Sequence, residues 1–223
     1  MFREDPELAG DTSPETLALL SEVRVDVVVA EQRSWEPSAQ LRQRASLGLL
    51  VLEGVLVRTV HVLETFAVEL IGRGDLILDP ARIETYGSIP QRSTFEVLVP
   101  ARVAVLDEPF RQESAGWCEL DVQLATRTAR RHTAAMARLA AARLPNATQR
   151  LLIVLWELAD RWGRRSNGKV VIELPLTQAL LAALSSVRRE QVSRKAMPEL
   201  VERGLVARRE DGLYELRGDA PKG

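Results

Sequence analysis

Leu176-Thr177-Gln178-Ala179-Leu180-Leu181-Ala182-Ala183-Leu184-Ser185-Ser186-Val187-Arg188-Arg189-Glu190-Gln191-Val192-Ser193-Arg194 reads as a helix, a tight turn and a second helix whose first turn is charged. Leu181, Leu184, Val187, Val192, Ala196 and Leu200 supply one apolar face across both helices, and Ala182 is small where they cross. The major groove of DNA admits one such helix. Arg189 and Arg194 can donate to guanine edges there, and Glu190 can accept from a cytosine amino group. Thr177, Arg188, Ser193 and Lys195 stand where they can hold phosphates, which anchors a helix without reading sequence. The same residues also fit a solvated helix face on which Glu190 and Arg194 form an ordinary i,i+4 pair. The segment alone leaves both readings open. Ser186 occupies the position where such a turn commonly carries glycine. Pro198 falls inside the expected second helix, where its missing N–H should kink or shorten the C-terminal part, away from the base-reading end.

The flanks extend the pattern. Leu151 to Trp162 is apolar enough for a buried helix, Asn146 with Gln149 three residues on looks like its N-cap, and Pro145 closes what precedes it. A loop is expected from Gly163 to Gly168, then a short strand over Val170 to Leu174. Beyond the second helix, Gly204 to Arg209 and Leu213 to Leu216 flank Glu210-Asp211-Gly212, an Asp-Gly hairpin signal. Helix, strand, helix-turn-helix and hairpin in that order make a winged helix.

Upstream the texture differs. Between Trp117 and Leu144 Gly and Pro vanish, Ala is frequent, and Leu120, Leu124, Ala135, Leu139 and Ala142 fall at helical spacings. A helix over that stretch, beginning after the change of texture near Glu113, spans roughly 40 Å. An Ala-rich stripe lets two helix backbones approach closely, which favours a symmetric dimer seam over packing on its own barrel. Between Val23 and Asp107 lie short runs of β-branched and apolar residues: Val23 to Val29, Leu47 to Leu52, Val55 to Val62, Phe66 to Ile71, Phe95 to Val99 and Val103 to Leu106. Such runs predict an all-β sandwich or barrel, with tight turns at Gly54 and at Gly72-Arg73-Gly74-Asp75.

Composition sets outer bounds. With 223 residues and one cysteine, Cys118, the chain has room for one or two domains and no intrachain disulfide framework. No run approaches the roughly 18 apolar residues of a membrane span, and the acidic MFREDPELAG start is unlike a secretory signal, so no membrane association and a cytoplasmic location are expected. Charge is asymmetric: residues 1–144 hold 16 basic and 21 acidic side chains, residues 145–223 hold 14 and 10. A mildly basic C-terminal third suits DNA, joined to a part that does not touch it.

The order of barrel, long helix and winged helix, with Gly72-Arg73-Gly74-Asp75-Leu76-Ile77, Leu152 to Gly163, Leu174-Pro175-Leu176-Thr177 and Arg189-Glu190-Gln191-Val192-Ser193-Arg194, resembles the Crp/Fnr family of transcription regulators. The resemblance spans nearly the whole chain and is strongest from Arg150 to Leu216. It implies an α+β protein: an N-terminal β-roll or jelly-roll barrel that senses (1–112), a long dimerisation helix (113–144) and a winged helix-turn-helix that binds DNA (145–223). It also implies a homodimer on a palindromic operator in double-stranded DNA, base reading by Arg189, Glu190 and Arg194, RNA polymerase as a partner, and no enzymatic activity. A hinge near Pro145 and Asn146 then sets the placement of two recognition helices about 34 Å apart.

The effector pocket is where the chain departs from relatives that bind cyclic nucleotides. Those resemble one another in a phosphate cassette, a turn with Gly and Glu followed by Arg-Ser. Here Arg92-Ser93 remains, while Leu78-Asp79-Pro80-Ala81-Arg82 lacks the Gly and Glu. A backbone that must approach a phosphate generally needs glycine. On the long helix Ala135-Met136 stands where hydroxyl residues meet the purine, with Thr133 or Thr128 as substitutes one turn away. An iron–sulfur cluster lacks cysteines, haem would have only His61, His132 or Cys118 to choose from, and Cys118 reads as a buried hydrophobe. No cofactor is therefore expected, and the sensor is degenerate or suited to another small molecule, a cyclic nucleotide held by an atypical cassette being one alternative. Two further alternatives are a winged helix that binds a protein and a metal-dependent enzyme in the barrel, the latter disfavoured by having two histidines in all.

Overall fold

A computed structural model describes residues 8, 18, 23–37, 47–78 and 89–221. Asp79 to Arg82, in the cassette region, lie outside the described residues. The chain forms two compact units, Met1–Thr133 and Ala134–Gly223.

In the first unit β1 (Asp26–Ala30), β2 (Ser34–Trp35), β3 (Gly48–Val62), β4 (Thr65–Gly72), β5 (Leu76–Ile77) and β6 (Gln91–Leu106) form a six-stranded antiparallel sheet. β3 and β6 pair from end to end, with β1 and β2 added on β6 and β4 and β5 on β3. The expected short strands are corrected here. Leu47 to Leu52 and Val55 to Val62 belong to one strand, as do Phe95 to Val99 and Val103 to Leu106. Gly54 is not a turn between strands. It sits at φ +84 where the register shifts between Val51 and Leu56, and a Cβ there would lie 2.1 Å from the Pro100 carbonyl oxygen. A bulged strand bends while keeping its partner, and glycine permits the close approach.

Both faces of this sheet are buried near the bulge, so its strands read as nearly continuous apolar runs. Leu49, Val51, Leu56, Ile71, Phe95, Val103 and Val105 form one cluster. Their sequence neighbours Leu50, Leu52, Ala104 and Leu106 point the other way and meet Phe110 and Leu120. The turn at Gly72 to Asp75 is present, with the Gly72 N–H donating to Asp75 Oδ2 at 2.8 Å and Gly74 at φ +84.

Phe110 lies on α1 (Glu108–Glu113), which Asp107 caps by accepting from the Phe110 N–H at 3.1 Å. The long helix is shorter than expected. A turn containing Gly116 at φ +94 separates α1 from α2 (Cys118–Ala141), whose 24 residues span about 36 Å.

In the second unit Asn146 caps α3 (Ala147–Trp162), accepting from the N–H groups of Thr148 and Gln149 at 2.8 and 3.3 Å. The loop expected at Gly163 to Gly168 is instead a strand and a turn: β7 (Gly163–Ser166) pairs with β8 (Lys169–Ile172) across Asn167 and Gly168, at φ +50 and +73. Asn-Gly is a strong hairpin signal, because both central residues of a type I′ turn need positive φ. Then come α4 (Gln178–Leu184), α5 (Arg189–Gln191), a π-helical turn (Val192–Ala196), α6 (Met197–Glu202) and the hairpin of β9 (Val206–Arg208) and β10 (Tyr214–Arg217). The sheet order is β7-β8-β10-β9. Among the described residues no helix is long and apolar enough to cross a membrane.

Candidate nucleic-acid interface

Thr177 starts α4 as its N-cap, its Oγ1 accepting from the Leu180 N–H at 3.1 Å. The helix ends in a Schellman arrangement: Ser186 and Val187 donate to the carbonyls of Ala183 and Ala182 at 3.3 and 3.0 Å, with Ser186 at φ +53. That left-handed backbone is why the position favours glycine. Ser185 is buried beside it and spends its hydroxyl on the Leu181 carbonyl at 2.6 Å.

The second helix runs over 189–202, so Pro198 does not shorten it, and the disturbance expected there takes the form of a π turn. Met197 donates to the Val192 carbonyl, five residues back, so the helix widens into a π turn just where Pro198 has no N–H to give and its ring needs room. The helix then closes at Gly204, φ +68, with Leu205 donating to Leu200 at 3.0 Å.

Leu181, Ala182, Leu184, Val187, Val192, Ala196, Met197 and Leu200 are all buried. Arg188, Arg189, Glu190, Arg194 and Lys195 are exposed, as is Thr177, and Ser193 is half-buried with its hydroxyl donating to the Glu190 carbonyl at 3.2 Å. Among the described residues none of those five charged groups forms an ion pair, so the Glu190–Arg194 pair does not exist in this structure. Four cations and one carboxylate thus stand unpaired over the turn and the first two turns of the helix, a locally electropositive surface. In the adjoining hairpin Glu215 accepts from Arg217 and Lys169 at 2.9 and 3.1 Å, and these bonds, that from Arg217 foremost, hold its carboxyl below the usual carboxylate range.

The two candidate effector residues part company. Adjacent on β6, they face opposite sides of the sheet: Arg92 is exposed opposite His61, while Ser93 is half-buried and accepts from Arg58 Nε at 3.3 Å. Arg58 also reaches Glu69 across β4 at 3.1 Å, and Arg131 from α2 grips Glu69 with two nitrogens at 2.5 and 3.1 Å and the Leu76 carbonyl with a third at 2.8 Å. Burial, together with the nearby Arg131 charge, lowers the Arg58 pKa in spite of Glu69. For Arg131 burial works the same way, but its bonds and charge pairing with Glu69 prevail and raise it. The sequence reading missed this cluster, although a charge inside each of the runs Val55 to Val62 and Phe66 to Ile71 was its visible sign.

Thr128 and Thr133, the substitute hydroxyls, are exposed and donate to carbonyls of their own helix, Leu124 and Ala129, at 2.9 and 3.1 Å. Cys118 is exposed, contrary to the expectation of a buried hydrophobe, because it begins α2 on the side away from Leu120. Among the described residues no group of three or more His, Cys, Asp or Glu is placed to hold a metal ion. α2 itself has two faces. Leu120, Leu124, Arg127 and Arg131 turn inward, whereas Val122, Met136 and Leu139 are 59, 52 and 59% exposed.

Residues 149–217 match the Crp-like helix-turn-helix domain family. No curated protein matches the chain by sequence. Among solved structures it is similar to a cyclic nucleotide-binding domain containing protein from Listeria monocytogenes EGD-e, at 15% identity and a TM-score of 0.72 over 93% of this chain and 98% of that one. It is also similar to FixK2 from Bradyrhizobium japonicum (17%, TM-score 0.64, covering 88 and 94%). A third likeness is to TTHA1359, a transcriptional regulator of the CRP/FNR family from Thermus thermophilus (24%, TM-score 0.52, covering 86 and 94%). Residues 149–217 thus form a Crp-like helix-turn-helix domain, and the chain as a whole has the fold of these solved structures.

Proposed function

We propose that this DNA-binding transcription regulator reads a palindromic operator as a homodimer, with Arg189, Glu190 and Arg194 on base edges and Thr177, Arg188, Ser193 and Lys195 on phosphates. The observation that carries the reading is the unpaired charge exposed at the N-terminal part of helix 189–202, whose Val192, Ala196, Met197 and Leu200 are buried. Further along the same helix the pattern changes, and Arg203 pairs with Glu199 at 3.6 Å. Dimerisation is supported by α2, where Cys118, Val122, Ala125, Ala129, His132, Met136 and Leu139 follow one another at alternating steps of four and three residues, all exposed. That is the seam of a two-stranded coiled coil, and its alanines let the axes come close. A second copy suits it because the stripe is self-complementary about a two-fold axis.

The sensor, in this reading, does not take a cyclic nucleotide in the usual way. Arg58, Ser93, Glu69 and Arg131 satisfy one another, and Arg92 faces away from Ser93. Selection of binding duplexes from a random pool, followed by fluorescence titration at fixed salt, tests the DNA reading. The expected outcome is a two-fold symmetric site preferred over random duplex by at least about 1,000-fold. Equal affinity for all duplexes removes it, and a stable protein partner in place of DNA would then favour the protein-binding reading.

A further inference from the structure

Three hydrogen-bonded links pass through α3 in the C-terminal unit. Arg138, near the end of α2, places its Nε against both carboxylate oxygens of Glu157 at 2.7 and 2.8 Å. Thr148 donates from its Oγ1 to Glu199 on α6 at 2.8 Å. Between them Arg150 donates from one nitrogen, Nη1, to two carbonyls at 3.2 Å each: Ala142, just beyond the end of α2, and Ser186, in the turn that precedes the recognition helix. α3 therefore holds the end of α2 on one side and, on the other, the turn before the recognition helix and that helix's C-terminal part.

Arg150 is the group common to both sides. The Ala142 carbonyl follows the last turn of α2, where carbonyls lack helical partners and a cation is favourably placed. The Ser186 carbonyl belongs to a residue already held at φ +53, so its direction is set by a conformation L residues seldom adopt. Arg150 also leaves its own Nε buried without a partner. A buried donor left unmet costs stability, and the two Nη1 bonds help to offset that cost in this pose. Both Nη1 bonds lie at the long end of the N–H···O range, and a relative shift of about 0.3 Å would break one of them.

We propose that Arg150 is the positioning residue that fixes the recognition helix relative to the C-terminal end of α2, and so sets the separation of the two recognition helices in the dimer. The first part stands on this unit alone. The second rests on the dimeric DNA reading above.

The test uses the full chain with Arg150→Met, which keeps length and apolar stem without donors, and Arg150→Lys, which keeps charge and reaches one carbonyl at a time. Without DNA, native-state amide exchange at Val187 and Leu144 is expected to speed up about 10-fold in Arg150→Met while Leu155 stays as in the parent. With DNA, the parent is expected to discriminate between operators whose half-sites are at the preferred separation and one base pair wider. Arg150→Met loses about 10-fold at the preferred separation and no longer distinguishes the two, with an unchanged salt slope because Arg150 is not a phosphate contact. Arg150→Lys falls between. Unchanged exchange at Val187 and Leu144 overturns the link, and so does a uniform rise across the unit, which would make Arg150 a general stabiliser. If the parent prefers no duplex at all, the DNA reading fails while the exchange result still decides the link.

Discussion

At the scale of single residues, the exposed ends of Arg189 and Lys195 differ in what they can tell DNA. A guanidinium pairs bidentately with one guanine, so Arg189→Ala is expected to cost about 1–3 kcal/mol and to relax preference at one base step. Lys195→Ala should instead weaken binding evenly across sequences and lower the salt slope by about 1, which titrations at several salt concentrations separate from the first effect. Gly54 is the residue on which the sheet depends. A methyl group there meets the Pro100 carbonyl at 2.1 Å on a backbone already at φ +84, so Gly54→Ala is expected to lose about 3 kcal/mol in denaturant unfolding. The buried side of the helix-turn-helix was legible residue by residue, because an amphipathic period shows which side chains must leave water. Gly54 was not legible. Glycine marks a turn and a bulge alike until the partner strand is known.

At the scale of elements, the proposed dimer seam lies on the side of α2 that the chain itself leaves uncovered. Met136→Glu would set a charge against its two-fold mate in the seam, and sedimentation is expected to show monomer in place of dimer, with palindromic affinity lost and half-site affinity kept. The β9–β10 hairpin depends on Glu215, whose carboxyl is held below its unfolded value of 4.5 by Arg217 and Lys169. A depressed folded pKa stabilises above the unfolded value and is lost as the pH falls through the folded one. Thermal melts of Glu215→Gln should therefore lie below the parent at pH 7, with the two curves converging as the medium becomes acid. The helix over 189–202 shows how an element absorbs a local fault: Pro198 has no N–H to give, and the π turn of Val192–Ala196 just before it supplies the slack.

At the scale of the whole molecule, the charge cluster of the first unit bears on whether a ligand can enter it. Arg58, Glu69, Ser93 and Arg131 join strands β3 and β4, the start of β6, and α2 through bonds of 2.5 to 3.3 Å, and a ligand there must break pairs already made. Micromolar cyclic AMP is accordingly expected to leave the melting temperature unchanged, since only a ligand that binds the native state raises it. A rise would reopen the cassette reading. The sequence by itself determined the class of fold, the order of barrel, long helix and winged helix, and which residues of the helix-turn-helix are buried and which exposed, because those follow from local periodicity, caps and turn chemistry. Only the tertiary structure decided that short runs join into two long bulged strands, that Arg92 and Ser93 face apart, and that Arg150 ties the end of α2 to the recognition turn. These depend on which distant segments lie side by side, and a pattern of period 2 or 3.6 records which face of an element is buried without recording against what.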